Sequence, residues 1–182
     1  MPTAIEPFAS GLLPVGDGHE IYWEACGSPA GAPVLHLHGG PGAGMLTGYR
    51  RRQDPADHLI VGFEQRGCGH SRPLVTDPAA DLAANTTAAL ISDTEALRKH
   101  LGVRAWLVCG ISWGTTLALA YAQAHPESVT GLVLAAVTTT STAEVQLVTE
   151  DMRRIFPAQW ERCAATVPRA GKSGWSTPMP RP

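Results

Sequence analysis

The spacing of hydrophobic and polar residues differs between the first 30 residues and the rest of the chain. Two short segments, Leu12–Val15 and Glu20–Ala25, flank the tripeptide Gly16-Asp17-Gly18. Asp-Gly is typical of hairpin turns because glycine adopts a positive φ at no steric cost. In the second segment, Ile21 and Trp23 alternate with more polar neighbours, as in a half-exposed strand. The pattern therefore predicts a β-hairpin at the start of the fold.

Four short apolar runs follow, and glycine closes the first three of them. Runs of this length with almost no polar residue are typical of parallel strands that are buried on both faces of a sheet. The four predicted strands are Val34–Leu37, Leu59–Phe63, Ala105–Cys109 and Leu132–Val137.

Two helical patterns lie between the last three of these runs. In Thr86–Leu101 the apolar residues recur at helical spacing, and Asn85 is the expected N-cap. A second pattern covers Trp113–Ala124 and ends at His125-Pro126, because proline disfavours helix in the residue before it. Alternating strands and helices predict an α/β fold with right-handed crossovers, in which a mostly parallel sheet has helices on both faces.

The C-terminal part of the chain is patterned less regularly. Ser141 and Glu144 form a capping box that predicts a helix to about Ile155, and a shorter helix is expected over Ala158–Ala165. The remaining residues, 167–182, have no apolar period and are rich in proline, and we expect them to be disordered.

Composition and charge exclude several classes of function. The 182 residues carry a formal net charge of −2, and no stripe of Lys or Arg indicates binding to nucleic acid or to an anionic membrane. No leader and no stretch of roughly 18 apolar residues is evident, so we expect a cytoplasmic protein. Four cysteines without a C-x-x-C pair argue against zinc, and we expect free thiols.

The segment Gly110-Ile111-Ser112-Trp113-Gly114 has the G-x-S-x-G pattern and joins a predicted strand directly to a predicted helix. This is the setting of a nucleophile elbow, in which small flanking residues permit a tight turn that exposes the serine hydroxyl. We therefore predict that Ser112 is the nucleophile of a hydrolase. A glycine-rich turn without a catalytic role is the alternative.

A second glycine-rich segment, His38-Gly39-Gly40-Pro41-Gly42, follows the predicted strand Val34–Leu37. Glycines allow the main chain to approach a substrate, and a hydrolase needs backbone N–H groups directed at the developing oxyanion. The expected donors of this oxyanion hole are the N–H groups of Gly40 and of Trp113, the residue after the nucleophile. A phosphate-binding loop is the competing interpretation, but the segment lacks both the G-K-[ST] ending and the G-x-G-x-x-G spacing.

A third loop begins with Glu64-Gln65-Arg66 after the predicted strand Leu59–Phe63 and runs to residue 71. It should lie at the carboxyl edge of the sheet, where ligands of open α/β sheets bind, so its first three residues are candidate site residues. For Arg66 the expected role is structural: it should pair with acidic residues and so brace the segment His38–Gly42, which is called the oxyanion loop below. His36 and His38 share one face of a strand, but no third ligand is evident, and we expect no metal.

Together, the three segments resemble those of proline iminopeptidases (prolyl aminopeptidases). The resembling sequences are HGGPG, EQRGCGHS and GISWGTTLALAYAQAHPE, and the similarity extends over roughly residues 10–165. The resemblance implies an α/β-hydrolase fold with a helical cap, a Ser–His–Asp triad that removes N-terminal proline from peptides, and no cofactor. On that basis residues 1–140 are the N-terminal part of the hydrolase core, and residues 141–166 are the start of the cap. The fold is then expected to be truncated before its last strands and most of its cap.

The residues after Ser112 do not complete such a triad. In α/β-hydrolases the order along the chain is serine, acid, histidine, whereas here His125 is the last histidine and the only later aspartate, Asp151, follows it. A serine without a histidine base is a poor nucleophile at neutral pH, so we expect this chain to have little peptidase activity. An inactive hydrolase fragment and a different α/β-hydrolase, such as an esterase, remain as alternatives. The sequence does not indicate an oligomeric state.

Overall fold

Six strands form a single mixed sheet in the computed structural model, which describes residues 5–77 and 80–166. Along the chain they are β1 (Ala9–Pro14), β2 (Glu20–Gly27), β3 (Ala32–Leu37), β4 (His58–Phe63), β5 (Trp106–Ile111) and β6 (Val129–Ala135). Their order across the sheet is β1-β2-β4-β3-β5-β6. The pairs β1–β2 and β2–β4 are antiparallel and the other three pairs are parallel, so the predicted hairpin and mostly parallel sheet are confirmed.

The last predicted strand is displaced from its expected position. The apolar pattern placed it over Leu132–Val137, whereas β6 begins at Val129, opposite Trp106 of β5, and ends at Ala135. Ala136 has a φ of 50°, which takes the chain out of the extended conformation before Val137. The backbone, rather than hydrophobicity, therefore sets the end of this strand.

Two helices connect the last three strands. Helix α1 covers Thr87–His100 and α2 covers Trp113–Ala124, the latter with the predicted bounds. The prediction that Asn85 caps α1 is wrong. Thr86 is the N-cap, because its extended backbone lets its hydroxyl accept a hydrogen bond from the N–H of Ala89, whereas the Asn85 amide donates to the carbonyl of Arg66.

The residues up to 137 form one compact unit, and a second unit begins at residue 138. In the second unit, α3 (Thr142–Thr149) opens with the predicted capping box of Ser141 and Glu144, and α4 covers Pro157–Thr166. The prediction that the first of these helices reaches Ile155 is wrong, because a 3₁₀ turn over Asp151–Arg154 replaces the α-helical hydrogen bonds. The expected disorder of residues 167–182 lies outside the described residues.

The core of the first unit lies mainly between the sheet and the two helices α1 and α2. The buried side chains of this core come from four of the six strands, β2 to β5, and from both helices; among them are Ile21, Leu35, Val61, Phe63, Leu97, Val108, Leu117 and Tyr121. On the opposite face, Tyr49 of the 3₁₀ turn Thr47–Arg51 packs on Cys26 and Ile60. Two packed faces explain why the central strands read as continuous apolar runs. Of the described helices, none has the length and apolar character needed to span a membrane.

Candidate active site

Three loops meet at one edge of the sheet because they follow three neighbouring strands. Strand β3 pairs in parallel with β4 on one side and with β5 on the other. The carboxyl ends of these strands therefore bring together the segments that begin at His38, Glu64 and Ser112. This edge is where open α/β sheets bind their ligands.

Ser112 occupies the turn between β5 and α2 with a φ of 52° and a ψ of −124°. This conformation is rare for a residue with a side chain, and strain of this kind is typical of functional sites. The turn is held on both sides: the Ser112 N–H donates to the carbonyl of Ala135 at 3.0 Å, and its own carbonyl accepts from the Thr115 N–H at 2.8 Å. The Thr115 hydroxyl donates to the same carbonyl at 2.7 Å. The serine side chain is consequently fixed at the start of the helix and remains partly exposed.

The glycines on either side of the serine are required by close backbone contacts. A β-carbon at Gly110 would overlap the carbonyl of Gly114, and a β-carbon at Gly114 would overlap the carbonyl of Leu37 at the end of β3. The first turn of α2 can therefore lie directly against β3. These contacts give the G-x-S-x-G spacing a steric cause in this chain.

The glycine-rich loop after β3 lies directly beside Ser112. A β-carbon at Gly39 would be 3.1 Å from the Ser112 Cβ and 3.7 Å from its Oγ. The next residue, Gly40, has a φ of 124°, and a β-carbon there would meet the N of Gly42 at 2.5 Å. A cis peptide bond joins Gly40 to Pro41, and Gly42 has a φ of 82°. The backbone path of this loop, at its closest approach to Ser112, therefore depends on its glycines.

His38 is held in one neutral tautomer beneath this loop. Its Nε2 accepts a hydrogen bond from the Gln65 N–H at 3.0 Å, so its Nδ1 carries the proton and donates to the Gly39 carbonyl at 2.9 Å. Burial lowers the pKa of His38, which favours the same neutral form. With both ring nitrogens occupied, His38 braces the loop and does not act on Ser112.

Gln65 contacts both segments that contain the expected oxyanion donors. Its amide Nε2 donates to the carbonyl of His38 at 2.9 Å, and its Oε1 accepts from the indole Nε1 of Trp113 at 3.2 Å. The side chain is almost completely buried. Gln65 was expected in the site loop from the sequence, whereas its double contact depends on residues 27 and 48 positions away in the chain.

Glu64 links its own loop to the segment after the oxyanion loop. One carboxylate oxygen accepts from the Met45 N–H at 3.3 Å, and the other accepts from the backbone N–H of His70 and from its Nδ1 at 3.0 Å. Gly69 leaves room for this carboxylate, which a β-carbon at that position would overlap. Glu64 therefore acts within the scaffold of the site.

Arg66 points away from Ser112 towards α1 and the first hairpin. Its guanidinium forms two hydrogen bonds with Asp93, at 2.6 and 2.8 Å, and a third with Asp17 at 2.8 Å. It also donates to the carbonyl of Ala84 at 3.1 Å. Neither acidic partner was identified from the sequence, where Asp17 was interpreted only as a turn residue.

His36 in β3 and His38 in the loop after it both form hydrogen bonds with other protein groups. His36 Nε2 is 2.7 Å from the Gln53 side-chain oxygen, and burial lowers the pKa of His36 to about 4. Within residues 5–77 and 80–166, no group of three or more His, Cys, Asp or Glu side chains is arranged to hold a metal ion. Cys26, Cys68 and Cys109 are buried free thiols, as expected.

No histidine or carboxylate of the described residues is hydrogen-bonded to Ser112 Oγ. His125 lies at the other end of α2, roughly 18 Å from Ser112 along the helix axis, since an α-helix rises about 1.5 Å per residue. Its ring is 3.7 Å from the Glu127 carboxylate and stacks near Tyr121. The described residues thus bring Ser112 together with the glycine-rich backbone of residues 38–42, and neither His38 nor His125 is hydrogen-bonded to the serine.

Comparison with known proteins identifies the family to which this fold belongs. A family model described as the alpha/beta hydrolase fold matches residues 32–173. A protein of Streptomyces coelicolor named "Probable proline iminopeptidase" is 51% identical over 170 residues, which are 93% of this chain and 53% of that protein. The proline iminopeptidase of Xylella fastidiosa (strain Temecula1) is 47% identical over 165 residues, which are 90% of this chain and 51% of that protein. The chain spans about half the length of the curated relatives it matches, and over that half its resemblance to proline iminopeptidases is confirmed.

Solved structures give the same result for the fold. The proline iminopeptidase of Mycobacterium smegmatis matches with a TM-score of 0.67 at 24% identity, covering 92% of this chain and 58% of its own. A proline iminopeptidase-related protein of Thermus thermophilus matches with a TM-score of 0.57 at 32% identity, covering 69% of this chain and 43% of its own. A mutant epoxide hydrolase of Vigna radiata matches with a TM-score of 0.62 at 23% identity, covering 91% of this chain and 49% of its own. These matches confirm the predicted fold class.

Proposed function

Because the chain belongs to the α/β-hydrolase fold family, we propose that it supplies the nucleophile and the oxyanion hole of a serine aminopeptidase that releases N-terminal proline from peptides. The observation that carries the proposal is the backbone of Ser112, which has a φ of 52° between β5 and α2 and lies against Gly39. Such a conformation costs a serine on the order of 1–3 kcal/mol and is retained mainly where function requires it. Similarity to proteins named proline iminopeptidase supports N-terminal proline as the released group.

The proposed reaction proceeds through an acyl-enzyme. Ser112 Oγ attacks the carbonyl carbon of the N-terminal proline residue while its proton passes to a general base, and the carbonyl π electrons move onto the oxygen. Collapse of the tetrahedral intermediate breaks the C–N bond, and the shortened peptide leaves as an amine that takes up the proton. Water then hydrolyses the ester, which releases proline and restores the Ser112 hydroxyl. Neither step requires a cofactor.

The developing oxyanion is proposed to lie between the N–H groups of Gly40 and Trp113. Trp113 is the first residue of α2, so its N–H has no partner within the helix, and the positive end of the helix dipole faces an anion there. The contact between Gly39 and Ser112 supports placing the glycine-rich loop on the other side of the same oxygen. Loss of one such donor costs roughly 10²- to 10³-fold in kcat in serine peptidases.

The general base is proposed to come from outside the described residues. Both nitrogens of His38 are occupied, and His125 lies at the far end of α2. The relatives that the chain matches are about twice its length, which leaves room in such a protein for the acid and the histidine that follow the serine in α/β-hydrolases. On this proposal the 182-residue chain has little peptidase activity by itself, because a serine without a base is a weak nucleophile.

A chimeric protein tests the proposed reaction and the proposed substrate together. Residues 1–166 of this chain are joined to the part of the Xylella fastidiosa relative that the chain does not cover, and release of proline from proline-β-naphthylamide is measured. We expect proline release by the chimera and a loss of at least about 10³-fold in its Ser112→Ala variant. The 182-residue chain is assayed in parallel and is expected to show little release.

The other functions remain as distinct outcomes of this experiment. A chimera that unfolds cooperatively and cleaves p-nitrophenyl acetate but not the proline substrate would identify a different α/β-hydrolase, such as an esterase. A folded chimera that cleaves neither substrate would identify the chain as a hydrolase fragment without catalysis. Activity that persists in Ser112→Ala would remove Ser112 from the mechanism.

A further inference from the structure

We propose that Gln65 is a positioning residue that holds the two oxyanion-donor segments at a fixed separation, an inference that rests on the proposed function. Gln65 belongs to neither segment. It lies in the loop after β4, and its amide connects the loop after β3, at His38, with the start of α2, at Trp113.

The orientation of the Gln65 amide is fixed by the chemistry of its partners. An indole Nε1–H can only donate, and a backbone carbonyl can only accept. Rotating the amide by 180° would therefore break both hydrogen bonds at once. The observed arrangement, with Nε2 towards the His38 carbonyl at 2.9 Å and Oε1 towards Trp113 at 3.2 Å, is the one that satisfies both partners.

A third contact ties the backbone of Gln65 to the same loop. The Gln65 N–H donates to Nε2 of His38 at 3.0 Å, while Nδ1 of that ring holds the carbonyl of Gly39. The side chain of Gln65 thus holds the His38–Gly39 peptide, and its main chain holds the next peptide, Gly39–Gly40, through the His38 ring. Since Gln65 is only 2% exposed, water cannot replace these bonds without a local opening of the site.

This bridge matters because the two N–H groups must converge on a single oxygen atom. Oxyanion donors act at about 2.7–3.1 Å from that oxygen, so a small sideways shift of either segment weakens one of the two hydrogen bonds. The segments leave the neighbouring strands β3 and β5 after their last backbone pair, Leu37 and Gly110, and they meet again where Gly114 lies against Leu37 and Gly39 lies against Ser112. Beyond that last pair, Gln65 adds the side-chain hydrogen bonds that tie the two segments to each other.

Gln53, in the loop before β4, provides a matched control residue. Its amide also bridges a histidine of β3 and a residue of β5, with its Oε1 2.7 Å from His36 and its Nε2 3.7 Å from the Cys109 sulfur. Neither of these hydrogen bonds involves the oxyanion loop or the start of α2. Replacing either glutamine with methionine removes a similar bridge while keeping the length of the side chain.

The experiment measures the reactivity of Ser112 in the full 182-residue chain towards a fluorophosphonate probe at about pH 9. Ser112 Oγ forms a bond to phosphorus, fluoride leaves, and hydroxide takes the hydroxyl proton, so no protein base is needed. Peptide mapping by mass spectrometry gives the labelling rate of Ser112 and of the other serines. In the parent chain we expect Ser112 to be labelled faster than the other serines. Labelling of Ser112 should be about tenfold slower in Gln65→Met than in the parent chain, and within about twofold of the parent rate in Gln53→Met.

A second variant approaches the bridge from its other end. Trp113→Phe keeps the backbone N–H and an aromatic ring but removes the indole donor to Gln65. We expect Trp113→Phe to slow the labelling of Ser112 as well. In the double variant Gln65→Met with Trp113→Phe, the fold reduction in labelling rate should be smaller than the product of the two single reductions, because both substitutions delete the same bridge. Loss of stability alone would not produce this pattern, and far-ultraviolet circular dichroism identifies any variant that fails to fold.

The outcomes separate this inference from the proposed function. Selective labelling of Ser112 that is unchanged in Gln65→Met and Trp113→Phe would overturn the role of Gln65 and leave the proposed function intact. Equal slowing in Gln53→Met would reduce the role of Gln65 to general stability and overturn the inference as well. Absence of selective labelling in the parent chain would overturn the inference, because no oxyanion hole would be there for Gln65 to position, whereas the proposed function is decided separately by proline release from the chimera.

Discussion

Arg66 and Asp93 form a buried bidentate ion pair, with 2.6 Å between Nε and Oδ2 and 2.8 Å between Nη2 and Oδ1. The two residues are 27 positions apart in the chain and are both almost completely buried. The pair attaches the loop that contains Gln65 to α1, and Arg66 extends the attachment to Asp17 in the first hairpin. The site loop is therefore held by charge–charge contacts on the side opposite to Ser112.

Removing the charge of Asp93 should strongly destabilise the fold. In Asp93→Asn the guanidinium of Arg66 stays buried without its main counter-charge, and we expect a loss of about 3–5 kcal/mol in the free energy of unfolding. The free energy of unfolding is measured by urea denaturation, followed by tryptophan fluorescence. Asp57→Asn, at an exposed position, is the control and should stay within about 0.5 kcal/mol of the parent. A loss below about 1 kcal/mol in Asp93→Asn would contradict the importance of this pair.

Gly114 should tolerate no side chain. A β-carbon there would overlap the carbonyl of Leu37, so Gly114→Ala must push α2 away from β3, and we expect it to destabilise the fold by about 1–3 kcal/mol. Gly48→Ala is the matched control, because no atom lies within 4 Å of a β-carbon at Gly48. Thermal unfolding of both variants compares them. Equal melting temperatures for the two would show that the start of α2 can move without cost.

Replacing Ser112, whose backbone is strained, with glycine should give a more stable fold than replacing it with alanine. The φ of 52° and ψ of −124° at Ser112 are unfavourable for alanine but accessible to glycine, so we expect Ser112→Gly to exceed Ser112→Ala by about 1 kcal/mol in the free energy of unfolding. At Ser92, an exposed position within α1, the same pair of substitutions should show the opposite order by about 1 kcal/mol. The same order at both sites would mean that the turn at Ser112 is unstrained.

Acidification should remove the contribution of Glu95 to stability. Hydrogen bonds from Arg98, at 2.6 and 2.9 Å, and from Tyr121 lower the pKa of Glu95 to about 2. Since this value lies below the ordinary one of 4.5, the stabilisation is complete above about pH 4.5 and is lost as the pH falls towards 2. It should amount to about 1–3 kcal/mol.

A charge-free variant isolates this contribution from that of other carboxylates. Glu95→Gln should be less stable than the parent chain at about pH 6, and the difference should shrink as the pH is lowered through about 4 to 3, as followed by urea denaturation. Glu127→Gln, whose side chain is 73% exposed, controls for removal of a charge and should change the free energy of unfolding by less than about 0.5 kcal/mol. If the difference in unfolding free energy between Glu95→Gln and the parent chain stayed constant with pH, the ionised carboxylate of Glu95 would not be its cause.

The elements that local patterns define were predictable. The bounds of α2 follow from an apolar period that begins after Ser112 and from the proline after His125, and both signals lie within the segment itself. The N-cap of α1 was not predictable in the same way. Asn85 and Thr86 are both good capping residues, and the choice between them depends on the carbonyl of Arg66, which occupies the Asn85 amide.

The sequence by itself determined the fold class and the position of the expected nucleophile, because a strand, a tight glycine-flanked turn and a helix are all encoded within residues 105–124. Only the tertiary structure decided which side chains brace the site. Gln65 reaches His38 across 27 positions and Trp113 across 48, and Arg66 reaches Asp17 across 49. These contacts exist because β3 lies between β4 and β5 in the sheet, an order that no local spacing of hydrophobic and polar residues encodes.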